Sequence, residues 1–124
     1  MGGRGSASTS GGKRISYDSS PEVMRKFFID GLRKYGPSAT LSYAGATPEQ
    51  RSRILGARNL AAGEVFGTDM DISNVWVTPS RSTPKVSSIN FGRGISILGS
   101  ENPTDAEIRG AAALVRARQD EGGR

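Results

Sequence analysis

Apolar residues recur every three or four positions in three stretches of the chain, and this spacing predicts three helices. The first is predicted over residues 21–35. Ser20 is a favourable N-cap, Pro21 occupies the first helical position, and Gly36 follows the last apolar residue. These signals fix both ends of the helix independently of its apolar face.

The second and third predicted helices each begin with a capping box. The second starts at residues 47–50, Thr-Pro-Glu-Gln, and runs to about residue 66. The third starts at residues 104–107, Thr-Asp-Ala-Glu, and fades at about residue 119. In a capping box the first and fourth residues each bond the other's backbone N–H, so both boxes predict well-defined helix starts.

Strand-like alternation appears between the helices. Short strands are predicted at 39–43 and 72–78, and a β-hairpin at 86–98 whose turn is Gly92-Arg93-Gly94. Helices and strands are not arranged as repeated βαβ units. The predicted fold class is therefore α+β, with three helices packed on a small antiparallel sheet that includes the hairpin.

Composition divides the chain into three parts. Residues 1–13 hold only two apolar residues, Met1 and Ala7, among glycines and serines, so they are predicted to form a flexible basic arm. Residues 14–119 are predicted to form a single α+β domain. Residues 120–124 are predicted to be a disordered tail.

The chain contains neither cysteine nor histidine. Disulfides, thiolate zinc sites, cysteine nucleophiles and a Ser-His-Asp triad are thereby excluded. No cofactor is expected and the protein is predicted not to be an enzyme. Glycosidases and phosphoryl-transfer enzymes manage without these residues, so an enzyme relying on carboxylates and arginines stays as a third hypothesis.

No apolar run approaches the length of about 18 residues that a membrane span requires, and the first residues lack the apolar core of a secretory signal. The chain is expected to have no membrane association. A cytoplasmic location in a host cell, or a location inside a virion, is the expectation.

Seventeen basic residues against twelve acidic ones give a net charge of +5, a balance that favours polyanionic partners such as nucleic acid. Arg51 and Arg58 are seven apart and share one helix face, and Arg109 and Arg116 repeat that spacing on the third helix. A solvated charged face is the alternative interpretation. The predicted contacts to nucleic acid or another partner are Lys13, Arg14, Arg51, Arg53, Arg58, Arg81, Lys85 and Arg93.

Asp69 and Asp71 are the candidates for a metal site, because alternate residues of an extended chain point the same way. The pattern lacks the glycine and glutamate of a calcium-binding EF-hand loop, since Asn74 and Ser80 stand at those positions. Acidic residues before a strand commonly form turns, and this is the preferred interpretation.

Aromatic residues are scarce, and they mostly fall in core-like patterns: Trp76, Tyr17, Tyr35, Tyr43 and the four phenylalanines. That distribution argues against a platform on which single-stranded bases stack.

The opening MGGRGSAS resembles the start of many small, mostly uncharacterised proteins of bacteriophages and prophages. The resemblance covers eight residues and implies a viral context, without a fold, an activity or site residues.

Three hypotheses follow. The first is a small phage-type protein that binds nucleic acid or a nucleoprotein stoichiometrically, without catalysis. The second is an inhibitor that binds a host protein directly, such as a bacterial defence component. The third is the enzyme without histidine or cysteine. Charge favours the first, the viral resemblance favours the second, and composition weighs against the third.

Overall fold

The computed structural model describes residues 5–122. Their elements are β1 (Ser6–Thr9), β2 (Arg14–Ser16), α1 (Pro21–Tyr35), β3 (Leu41–Ser42), α2 (Pro48–Phe66), β4 (Trp76–Pro79), β5 (Val86–Gly92), β6 (Ile95–Ser100) and α3 (Asp105–Gly122). The α+β class is confirmed. Instead of one sheet, however, the described residues form two three-stranded antiparallel sheets, ordered β2-β1-β3 and β4-β5-β6.

Helix α1 begins and ends at the predicted residues. The Val23 N–H donates to the Ser20 hydroxyl at 3.2 Å, which satisfies one of the free donors of the first turn. At the other end Gly36, with φ 84°, donates its N–H to the carbonyl of Leu32. Local cap chemistry is therefore sufficient to define this helix.

The two predicted capping boxes differ. In α2 both bonds form, from the Gln50 N–H to the Thr47 hydroxyl and from the Thr47 N–H to the Gln50 side chain. In α3 the Glu107 N–H donates to the Thr104 hydroxyl, but the Glu107 carboxylate turns into the core instead. Helix α3 also continues to Gly122, past the predicted end at residue 119.

The predicted hairpin is formed by β5 and β6. Gly92, Arg93 and Gly94 all have positive φ, at 85°, 56° and 76°, and the register shifts between Asn90 and Gly92. The strand predicted at 72–78 forms only from Trp76, because a turn bonded from Val75 N–H to Ile72 O precedes it.

The N-terminal segment departs from the predicted flexible arm. Within the described part of that arm, β1 is the central strand of its sheet and Ala7 is fully buried. A Cβ built on Gly5 would lie 2.1 Å from Tyr17 Cε2, so only glycine permits this approach. The small side chains of this segment let its backbone approach neighbouring residues closely. The number of apolar residues in the segment does not predict this kind of packing. Residues 1–4 of the predicted arm lie outside the described residues.

Helix α2 is the centre of the fold and packs against α1, α3 and β6. The contact with α3 is closest at Gly110, where an added Cβ would lie 1.8 Å from the Asn59 carbonyl oxygen. In the described range 5–122, no helix is both long and apolar enough to cross a bilayer.

Candidate anion-binding site

Arg51 and Arg58 both lie near Tyr43. The Arg51 guanidinium stands over the Tyr43 ring, with its carbon 5.8 Å from the ring centre, in cation–π range. Arg58 and Tyr43 both line a cleft of about 440 Å³. The seven-residue spacing therefore places both arginines on one face of α2, as predicted from sequence.

Four parts of the chain wall this cleft: the segment around β3, α2, β6 and α3. The segment around β3 brings the hydroxyls of Ser38 and Thr40, and β6 brings that of Ser96. Helix α3 contributes Arg118, which faces the same cleft as Arg58. Two guanidinium groups from different helices thus share one concavity.

Arg118 was not among the residues predicted from sequence. It lies beyond the stretch where the apolar stripe of α3 is clear, but three and four residues after the buried Val115 and Leu114. Extending the 3.6-residue period by one turn is the signal that finds it. Its Nε donates to the Pro37 carbonyl at 2.9 Å, which orients the guanidinium and leaves both terminal nitrogens for other acceptors.

Arg58 is a buried cation without an internal partner. Its Nε has no exposed surface and no hydrogen-bond partner, although the side chain as a whole keeps some exposure. Within residues 5–122 no carboxylate lies within 4.0 Å of either Arg58 or Arg118. The ion pair found in these residues joins Arg25 to Glu64, and neither residue lines this cleft. Burial, with a smaller contribution from the neighbouring Arg118, lowers the pKa of Arg58 to about 10. Arg58 is consequently charged at neutral pH.

Arg14 extends this set of cations. Burial raises the pKa of Tyr17, while the nearby charges of Arg51 and Arg14 lower it, so both arginines lie near this side chain. Tyr17 itself is fixed by donating its hydroxyl to the Ala44 carbonyl. Shared neighbours thus connect four arginines from β2, α2 and α3, and we call this set the basic row: Arg14, Arg51, Arg58 and Arg118.

The other predicted contact residues do not join the basic row. The Arg53 guanidinium donates to the Ser19 carbonyl at 3.0 Å and borders a separate apolar cleft. Lys13 and Lys85 line two further clefts, with Asp30 and Glu101 respectively among the lining residues. The remaining two, Arg81 and Arg93, are exposed, Arg93 at the hairpin tip.

The two regularly spaced arginines of α3, Arg109 and Arg116, bond backbone carbonyls at and after the end of α2. Arg109 donates to the Met70 carbonyl and Arg116 to the Phe66 carbonyl. These bonds hold the connection between α2 and β4 against α3. We therefore do not count them as ligand contacts.

The Asp69–Asp71 segment forms a turn. The Asp71 carboxylate accepts the Ser73 N–H at 3.0 Å, and this bond lowers the pKa of Asp71. Searched over residues 5–122, the structure holds no group of three acidic, histidine or cysteine side chains that could bind a metal.

Trp76 is not in the core. It lies on the edge strand β4 and is 52% exposed, with Val77 beside it 39% exposed. The core position predicted for Trp76 is wrong because α2 and α3 pack against β5 and β6 and do not cover β4.

Comparison with known proteins finds no matching family model, no matching curated protein and no matching solved structure.

Proposed function

We propose that this protein binds nucleic acid stoichiometrically and without catalysis, through the phosphate backbone along the basic row. One observation carries the proposal: four arginines from three elements are connected through Tyr17, Tyr43 and one cleft, and no carboxylate lies within 4.0 Å of them in residues 5–122. Planar guanidinium groups bind phosphate oxygens in a bidentate manner, which makes arginine the preferred residue for this contact.

The arrangement favours contacts to the backbone over recognition of bases. Arg51 is held against Tyr43, and Arg118 is oriented by a backbone carbonyl, so both present donors at fixed positions. Phosphate contacts position a protein on nucleic acid but carry no sequence information. Binding is therefore expected to be largely independent of sequence.

Fluorescence anisotropy with duplex DNA, single-stranded DNA and RNA tests the proposal. Four phosphate contacts would release counterions, so affinity should fall about 100-fold between 50 and 200 mM salt. Arg51→Gln should weaken binding about tenfold, corresponding to the loss of one charge-assisted contact.

Arg53→Gln is the matched control for this experiment. It removes the same charge from the same helix, but its guanidinium bonds the Ser19 carbonyl, away from the basic row. Its affinity should stay within about threefold of the unchanged protein, since only long-range charge is lost. Equal losses in both variants, or no binding to any of the three nucleic acids at low salt, would refute the proposal.

A second candidate function is inhibition of a host protein by direct binding. The exposed Trp76 and Val77 on the free edge of β4 favour it, since exposed aromatic residues and unpaired strand edges are common in protein interfaces. If this edge binds a partner, Trp76→Ser should abolish complex formation and leave nucleic-acid affinity unchanged. The viral context suggested by the opening residues stays a prediction.

A further inference from the structure

We propose that the cleft between α2, β6 and α3 binds a phosphate monoester, the terminal phosphate of a nucleotide or of a nucleic-acid strand, between Arg58 and Arg118. The inference rests on the proposed function for its ligand class and names the group that the inner part of the basic row takes. Its geometric basis is independent: two guanidinium groups face one cleft of about 440 Å³, within the range of small-molecule sites.

The number of unused donors distinguishes a monoester from an internal phosphate. Arg58 forms no hydrogen bond in residues 5–122, and Arg118 uses only its Nε. The Ser96 hydroxyl adds a further donor at the cleft wall. A phosphodiester within a strand offers two non-bridging oxygens, whereas a monoester offers three. A monoester therefore offers one more acceptor oxygen than a diester to two bidentate arginines and a hydroxyl.

The charge of the ligand also favours a monoester over an internal phosphodiester. A monoester carries a charge of about −1.5 to −2 at neutral pH, whereas an internal diester carries one negative charge. Two adjacent guanidinium groups without a carboxylate within 4.0 Å supply a matching +2 in the described structure. The Glu121 carboxylate on α3 accepts the Ser38 hydroxyl at 3.0 Å and forms no ion pair with either arginine. The site is therefore complementary to a dianion.

Burial explains why the occupant is an anion and not water alone. Arg58 Nε lacks a partner although it has no exposed surface, and a buried donor left without an acceptor is costly. Burial and the neighbouring Arg118 already lower the pKa of Arg58. An anion placed between the two guanidinium groups would bond the terminal nitrogens that face the cleft and offset the repulsion between the two charges.

The test compares oligonucleotides of one sequence that carry a 5′-phosphate, a 3′-phosphate or only hydroxyl ends. At least one phosphorylated end should bind about tenfold more tightly than the hydroxyl-ended strand, an increment expected for added charge-assisted bonds. Inorganic phosphate and a free nucleoside monophosphate form separate arms. They distinguish recognition of the phosphate group from recognition of a strand end, and each should raise the melting temperature relative to chloride of equal ionic strength.

Charge-preserving variants locate the site. Arg58→Lys and Arg118→Lys keep the net charge but lose bidentate geometry, so each should abolish the preference for phosphorylated ends. Arg53→Lys is the matched control and should retain the preference. Circular dichroism confirms that each variant is folded. If Arg58→Lys fails to fold, the partly exposed Arg118 provides the same test.

The outcomes separate this inference from the proposed function. Equal affinity for phosphorylated and hydroxyl ends, with nucleic-acid binding intact, would overturn the phosphate site and leave the proposed function standing. Phosphate-induced stabilisation that requires Arg58 and Arg118, without binding to any strand, would support the site and overturn the proposed function. An end preference that survives both lysine variants would place phosphate recognition elsewhere and overturn the inference.

Discussion

Two charged side chains, the buried Glu107 on α3 and the partly buried Arg58 on α2, occupy contrasting environments. The Glu107 carboxylate accepts the Ser100 N–H at 2.8 Å, the Ser100 hydroxyl, and the Asn59 side-chain amide at 3.2 Å. Arg58 receives nothing comparable from residues 5–122, and its Nε is buried without a partner. The fold thus supplies hydrogen-bond donors to the Glu107 carboxylate but no acceptor to Arg58 Nε.

The contrast separates a structural role from a binding role. Buried polar groups in folded proteins almost always have hydrogen-bond partners, so an exception requires an explanation. Glu107 joins α3 to the end of β6 and to α2, which accounts for its burial. Arg58 faces an open cleft and has no ion-pair partner in residues 5–122, and the proposed phosphate would supply the missing negative charge.

The largest change in the free energy of unfolding is expected from removing the Glu107 carboxylate. Glu107→Ala would leave the donors of Ser100 and Asn59 unpaired in the core and should lower the free energy of unfolding by about 3 kcal/mol. Glu107→Gln keeps an acceptor oxygen but presents an amide N–H to those donors, and should cost about 1 kcal/mol. Urea unfolding measures both. A loss below half a kilocalorie per mole for Glu107→Ala would show that these bonds contribute little.

A smaller loss is expected where α2 and α3 meet beside Glu107. Gly110→Ala places a Cβ 1.8 Å from the Asn59 carbonyl oxygen, so the helices must separate at a cost of about 2 kcal/mol. Gly31→Ala is the matched control, since its Cβ meets Thr9 at an ordinary 3.5 Å and alanine favours helix. It should be neutral or stabilising by up to about 1 kcal/mol. Equal melting temperatures for the two variants would contradict the close contact.

The smallest effect should have the opposite sign. Arg58→Met keeps an unbranched side chain but removes the unpartnered charge, and should raise the free energy of unfolding by about 1 kcal/mol at neutral pH. Because folding lowers the pKa of Arg58 from its ordinary value to about 10, the cost of its charge is present below pH 10 and decreases as pH rises through that value. The advantage of Arg58→Met should therefore shrink above about pH 10.

Arg53→Met serves as the control, because the Arg53 guanidinium is exposed and bonded to the Ser19 carbonyl. It should not be stabilising. If Arg58→Met instead destabilised the protein, Arg58 would have a structural role and the contrast with Glu107 would fail.

The elements with local signals were predictable from sequence. The cap residues of α1 and α2 and the glycines at the hairpin turn act within a few residues of chain, so a linear pattern contains them. The shared face of Arg51 and Arg58 followed from helical periodicity in the same way. Arg53 was included by proximity in sequence, although two residues along a helix rotate a side chain to a different face.

The remaining features depend on partners distant in sequence. Glu107 has the sequence of a capping residue, but Ser100 and Asn59 offer its carboxylate better-buried partners. Ala7 is buried only because β2 and β3 pair on both sides of β1. Arg118 belongs to the site because α3 continues along the cleft. No local pattern encodes such contacts.

The central position of β1 has a consequence for the order in which the chain is made. This strand is synthesised before the other described elements, yet its second neighbour, β3, lies at Leu41–Ser42. A two-stranded hairpin is at best marginally stable in water. During synthesis, the edge of β1 that pairs with β3 therefore stays unpaired until α1 and β3 have emerged.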